Sequence, residues 1–201
     1  MSLNPVDDVT VGIANQLTLS RLLLSPVFVL AFVLGGAAGH VAALVIAVLF
    51  EVTDLLDGYY ARTRSDTTDF GKLFDPLADS VSRFSVFLCF LWGGYADLWV
   101  VALIFYRDSI VAYMRVAAAR EGVVLAARLS GKMKAVTQGI VILAILLVIT
   151  ATPQGDSLAV GAAKTTAQYL MLIVGAVTAW SGVDYLWSVM PLLAKMLRRR
   201  P

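Results

Sequence analysis

Apolar residues dominate the chain in long blocks that do not alternate with polar ones. Stretches such as "VVALIF" and "GIVILAILLVI" lack the every-second-residue pattern of barrel strands, so the blocks read as helices. A helix needs roughly 20 apolar residues to cross about 30 Å of hydrocarbon. Six blocks approach that length, at roughly residues 17–35, 41–61, 73–95, 98–120, 134–151 and 166–194. The stretches between them, "GGAAGH" near 35–40, "GGYAD" at 93–97 and "ATPQGDS" at 151–157, hold the Gly, Pro and small polar residues that interrupt helices. The pattern predicts an all-α, polytopic membrane protein: a six-transmembrane-helix bundle forming a single domain over residues 1–201, with residues 1–16 as a short interfacial helix.

Composition strengthens this picture. Of 201 residues, 59% are hydrophobic and 15% charged, too few charges to clothe a soluble domain. The basic residues are also distributed unevenly. Arg62, Arg64 and Lys72 follow the second block, Arg120, Arg128, Lys132 and Lys134 follow the fourth, and Lys195, Arg198, Arg199 and Arg200 close the chain, while the opposite loops hold only Lys164. Positive charge is retained on the cytoplasmic side, which predicts a multi-pass protein of the inner or plasma membrane with both termini in the cytoplasm. The N-terminal segment lacks the basic region and small-residue site of a cleaved signal peptide. Cys89 has no partner for a disulfide and is expected in packing, and His40 is expected to be solvated in an outer loop.

Against this apolar background, "DLLDGYYARTRSDTTDFGKLFDPLAD" at 54–79 gathers six aspartates and three basic residues. Asp54 and Asp57 are three apart, and Asp75 and Asp79 four apart, so each pair shares one face of a helix. Four carboxylates near hydrocarbon repel one another unless cations join them, and an all-oxygen set suits Mg²⁺, Mn²⁺ or Ca²⁺ rather than zinc. A plainer reading makes some of these residues helix caps. It fits Asp66 and Asp69, and it fits Asp75 as an N-cap with Pro76 in the first turn. It leaves Asp54, inside an apolar block, without a reason. Gly58 and Gly71 clear space for a large ligand, and Arg62 offers a partner for phosphate.

Written out, Asp54, Asp57, Gly58, Ala61 and Arg62, then eight residues, then Gly71, Asp75 and Asp79, this segment resembles the signature of the CDP-alcohol phosphatidyltransferases. The resemblance implies transfer of a phosphatidyl group from CDP-diacylglycerol to a small alcohol, with release of CMP. It implies two Mg²⁺ (or Mn²⁺) ions per site held by Asp54, Asp57 and Asp75, with Asp79 completing the metal site and serving as general base. It places Asp54, Gly58, Ala61, Arg62 and Gly71 at the nucleotide. Membrane lipids are the surroundings, a homodimer is expected, and no nucleic acid partner is.

The acceptor alcohol must be read elsewhere. Arg107 and Arg115 lie eight apart in the fourth block, Lys132 and Lys134 open the fifth, and buried cations in membranes line polar cavities or anion sites. An acceptor phosphate would suit these four, although the lysines also obey the charge bias of cytoplasmic loops and Arg107 has Asp108 beside it. Arg83, one turn past Asp79, either orients that carboxylate or belongs to a separate ion pair, Asp184 is equally open, and Arg21 is expected to snorkel to the interface. The stretches "NQLTLSRLLLSP", "RDSIVAYMR" and "SGKMKAVTQ" resemble the phosphatidylglycerophosphate synthase branch, which implies glycerol 3-phosphate as acceptor. Asp108, Ala135 and Ser80 depart from that branch's usual Glu, Thr and Lys. Inositol phosphate, serine or another alcohol is the alternative within the class. A divalent-cation transporter using the same carboxylates is the alternative outside it.

Overall fold

The apolar blocks fold as helices that outrun them. The computed structural model describes the backbone of residues 13–64, 69–120, 123 and 128–198, and the side chains of residues 16–56, 77–119, 123 and 128–191. Six helices follow in order: α1 (Ile13–Leu34), α2 (Gly36–Arg64), α3 (Asp69–Gly93), α4 (Leu98–Arg120), α5 (Leu129–Ala151) and α6 (Ser157–Arg198). No strand occurs among the described residues. Five of the six start earlier than their apolar blocks, because the backbone hydrogen-bond ladder continues into polar sequence once a turn has formed. Residues 1–12 of the expected interfacial segment lie outside the described residues, as do Asp66 and the side chain of Asp69. Residue 75 is not a helix start, since α3 begins six residues before it at Asp69.

The first break is shorter than "GGAAGH" suggested. Gly35 and Gly36 both have φ of 72°, the left-handed region open to glycine, and α2 resumes at once. Tight return brings the helices into backbone contact: a Cβ on Gly39 would lie 2.4 Å from the Ala31 carbonyl oxygen. His40 consequently turns inward rather than to solvent. It is buried, its Nδ1 lies 3.0 Å from the Gln154 amide nitrogen, and its ring rests against Phe32. The break before α6 is fixed by Asp156, whose carboxylate accepts hydrogen bonds from the backbone N–H groups of Leu158 and Ala159, as an N-cap does.

Helix α1 packs on α2 and α3, α6 packs on α4 and α5, and α2 against α5 joins the two groups. Phe28, Phe32, Phe87 and Phe90 fill the centre with Ile145, Leu146 and Met171, and Cys89 is buried among them as expected. The outside is apolar as well. Leu34, Leu98, Leu158, Trp92 and Trp187 are each more than three-fifths exposed, a surface suited to lipid rather than water. Four helical segments are long and apolar enough to cross a membrane among the described residues: Gln16–Leu34, Gly36–Leu56, Leu129–Ala151 and Ser157–Pro191. Helix α4 differs in carrying Arg107, Asp108 and Arg115 within its length.

Candidate active site

Two charged clusters lie inside the bundle, and the first is built around Arg83. On α2, Glu51 and Asp54 are three apart and share a face; on α3, Asp79 and Arg83 are four apart and do likewise. The Arg83 Nε donates to Asp79 Oδ1 at 2.7 Å. Its Nη1 donates to the Ala135 carbonyl of α5 at 3.2 Å and lies 3.4 Å from Glu51 Oε1. Its Nη2 is 3.7 Å from Asp54 Oδ2, and Arg21 of α1 donates to the other oxygen of Asp54 at 2.9 Å. Arg21 is therefore buried in an ion pair, not snorkelling.

Carboxylates from two helices thus converge on one cation. That arrangement answers the puzzle of Asp54: it faces the bundle and its charge is met. A small cavity adjoins the cluster, with Arg21, Glu51, Asp79 and Arg83 on its polar side and Phe50, Val86 and Ile142 on its apolar side. The donor set is all oxygen, as hard divalent cations require, and Asp54 and Asp79 are each about two-fifths exposed and so accessible. The residues described fit such a metal as part of its ligand set. Among the described residues, no three candidate ligands gather at one point. Asp57, Gly58, Ala61 and Arg62 occupy α2, and Gly71 and Asp75 occupy α3, with side chains outside the described residues.

The second cluster joins α4, α5 and α6. Lys134, buried on α5, donates to both oxygens of Asp108 at 2.8 and 2.6 Å. Arg107 donates to Asp108 Oδ1 at 3.0 Å and to Ser181 Oγ of α6 at 2.6 Å. Gly182 gives Arg107 room, since a Cβ there would stand 3.2 Å from the Arg107 side chain. Nearby, Arg128 binds Asp184 through two 2.7 Å hydrogen bonds, and Ser130 donates to the same carboxylate. Of the four basic residues picked from the sequence, Arg107 and Lys134 meet here, whereas Arg115 and Lys132 have exposed side chains. Buried polar atoms without hydrogen-bond partners among the described residues, the Arg107 Nε, the Gln138 amide and the Thr178 hydroxyl, lie on the same three helices.

Sequence reasoning overlooked Glu51, Ser181 and the Arg128–Asp184 pair. A signal for Glu51 was present: Glu51, Asp54 and Asp57 are spaced by three and extend one acidic face of α2 inward. Ser181 carried none, because its partner is 74 residues away.

The chain belongs to the CDP-alcohol phosphatidyltransferase family, whose model matches residues 11–194. It is accordingly a transferase and a membrane protein. Among its relatives, a CDP-diacylglycerol–glycerol-3-phosphate 3-phosphatidyltransferase of Bacillus subtilis (strain 168) is 32% identical over 148 residues, 68% of this chain and 77% of that protein. A probable phosphatidylglycerophosphate synthase of Mycobacterium tuberculosis (strain ATCC 25618 / H37Rv) is 34% identical over 177 residues, 87% of this chain and 79% of that protein. A CDP-diacylglycerol–glycerol-3-phosphate 3-phosphatidyltransferase of Pseudomonas fluorescens is 30% identical over 189 residues, 90% of this chain and 91% of that protein.

Proposed function

We propose that this protein transfers the phosphatidyl group of CDP-diacylglycerol to glycerol 3-phosphate, forming phosphatidylglycerophosphate and releasing CMP. The observation that carries the reading is the meeting of Asp54 from α2 and Asp79 from α3 at a single buried cation. The family membership supports the donor chemistry, and the names of the relatives support the acceptor.

In this reading the acceptor hydroxyl oxygen forms a bond to the phosphorus of the phosphatidyl group while the bond from that phosphorus to CMP breaks. Asp79 accepts the hydroxyl proton, and its Oδ2 is the oxygen that Arg83 leaves unengaged. Asp54, Asp57, Asp75 and Asp79 would hold two Mg²⁺ or Mn²⁺ ions, whose charge would neutralise the diphosphate and the departing CMP. Gly58, Ala61, Arg62 and Gly71 receive the nucleotide. Lys134 and Arg107 receive the acceptor phosphate, which takes up donors that Asp108 holds in the structure described here. Arg115 and Lys132 add positive charge at the approach.

Six helices crossing the bilayer as one domain would put the signature, the basic clusters and both termini in the cytoplasm, and small residues on helix faces would suit a homodimer. The test is purified protein in detergent or vesicles with CDP-diacylglycerol, Mg²⁺ and each alcohol in turn. CMP release should require glycerol 3-phosphate. Release with serine or inositol phosphate, and none with glycerol 3-phosphate, would overturn the acceptor.

A further inference from the structure

We propose that Arg83, anchored by Glu51, is a positioning residue that fixes Asp79 for turnover and ties the two halves of the signature to α5. The inference rests on the reading of Asp79 given above, but the residues it adds, Arg83, Glu51 and Gly139, lie outside the signature.

Arg83 is 9% exposed, and a guanidinium so placed is costly unless nearly all its N–H groups find acceptors. Asp79 on its own helix and the Ala135 carbonyl on α5 accept its hydrogen bonds, and Glu51 and Asp54 on α2 balance its charge at 3.4 and 3.7 Å. Because Nε and the two Nη groups are fixed in one plane, engaging Glu51 and Ala135 sets the direction in which Nε points. Nε then holds Asp79 by Oδ1 and selects one side-chain orientation, which leaves Oδ2 to serve as the base.

Glu51 is the anchor of this arrangement. It is three-quarters buried and lies against Gly139, where a Cβ would stand 2.5 Å from Glu51 Oε2. Any side chain at 139 would displace the carboxylate, and Arg83 with it. Glu51 thus has a role separate from that of the four signature aspartates: it compensates the cation that orients one of them.

The test pairs kinetics with metal binding to the resting protein. Arg83→Gln should lower kcat about 100-fold while KM for CDP-diacylglycerol stays within about threefold, since misplacing a reacting group by about 1 Å costs a factor of that order. Arg83→Lys keeps the charge without the fork and should recover about tenfold of that loss. Mn²⁺ affinity, read by electron paramagnetic resonance without substrate, should hold or tighten in Arg83→Gln, because a cation beside Asp54 and Asp79 has been removed. Gly139→Ala removes no charge, yet should lower kcat by about tenfold through Glu51. Unchanged kcat in Arg83→Gln, or Mn²⁺ binding lost in step with kcat, would overturn the positioning role. An active Asp79→Asn would instead remove the reading of Asp79 as base, while an inactive Asp79→Asn beside a fully active Arg83→Gln would sink the positioning role alone.

Discussion

The two charged clusters use the same residue types and have opposite characters. Around Arg83, three described carboxylates, Glu51, Asp54 and Asp79, face two guanidiniums, and Arg83 engages only one oxygen of Asp79. Around Lys134, three cations, Arg107, Arg128 and Lys134, face two carboxylates whose oxygens are all engaged. In a low-dielectric bundle an unbalanced charge is expensive, so each surplus points to what would relieve it. The first cluster has room for cations. The surplus of the second is positive and suits an anion, which on the proposed function would compete with Asp108 for Lys134 and Arg107. On the proposed function, donor chemistry and acceptor recognition would fall to different helix sets, with α5 contributing Ala135 to one cluster and Lys134 to the other.

Replacing the base should separate the clusters most sharply. Asp79→Asn should lower turnover by about 1,000-fold, in the range general-base removal costs, while retaining Mn²⁺ and nucleotide binding better than Asp57→Asn. Titration of both variants with Mn²⁺ and a CDP nucleotide checks this; equal loss of binding in the two would erase the distinction between base and ligand. In the second cluster, Lys134→Met should raise the acceptor KM by about 10- to 100-fold with the donor KM unchanged, the range expected for a charged hydrogen bond. A selective rise in the donor KM would move Lys134 to the other site. Asp108→Asn should release Lys134 and Arg107 for anions and lower the inorganic phosphate concentration giving half-inhibition by about tenfold, a change visible in competition assays against glycerol 3-phosphate. Smallest of all, Arg115→Ala should raise the acceptor KM by less than about fivefold, because an exposed charge contributes little. An effect as large as that of Lys134→Met would bring Arg115 into the pocket itself.

The helices were largely legible before the structure. The block at 98–120 coincides with α4, and the others fall within their helices to within two residues at the C-terminal end. The starts were misjudged because hydropathy marks where lipid begins, while a helix continues through polar turns. His40 and Arg21 show a different difficulty. Local sequence points both toward water, and both are buried because a distant segment supplies a partner, Gln154 in the break between α5 and α6 for one and Asp54 on α2 for the other. The spacing of four allows Arg83 to meet Asp79 but leaves a separate ion pair equally open, and although Glu51 continues the acidic face of α2, nothing local announces that it and Ala135 meet the other edge of Arg83.

By itself, the sequence determined that the chain is helical and suited to lipid, and that an acidic signature is divided between two consecutive helices. Those properties depend on periodicity, composition and spacing, which are local to each segment. Which charges meet was decided only by the tertiary structure. Arg107 reaches Ser181 and Arg128 reaches Asp184 across separations of 74 and 56 residues, and such pairings arise from how the helices pack rather than from any one helix. A buried charge is stable only beside its counter-charge, so packing α1 against α2 and α3, α2 against α5, and α4 and α5 against α6 turned scattered ionisable residues into two clusters of opposite charge balance.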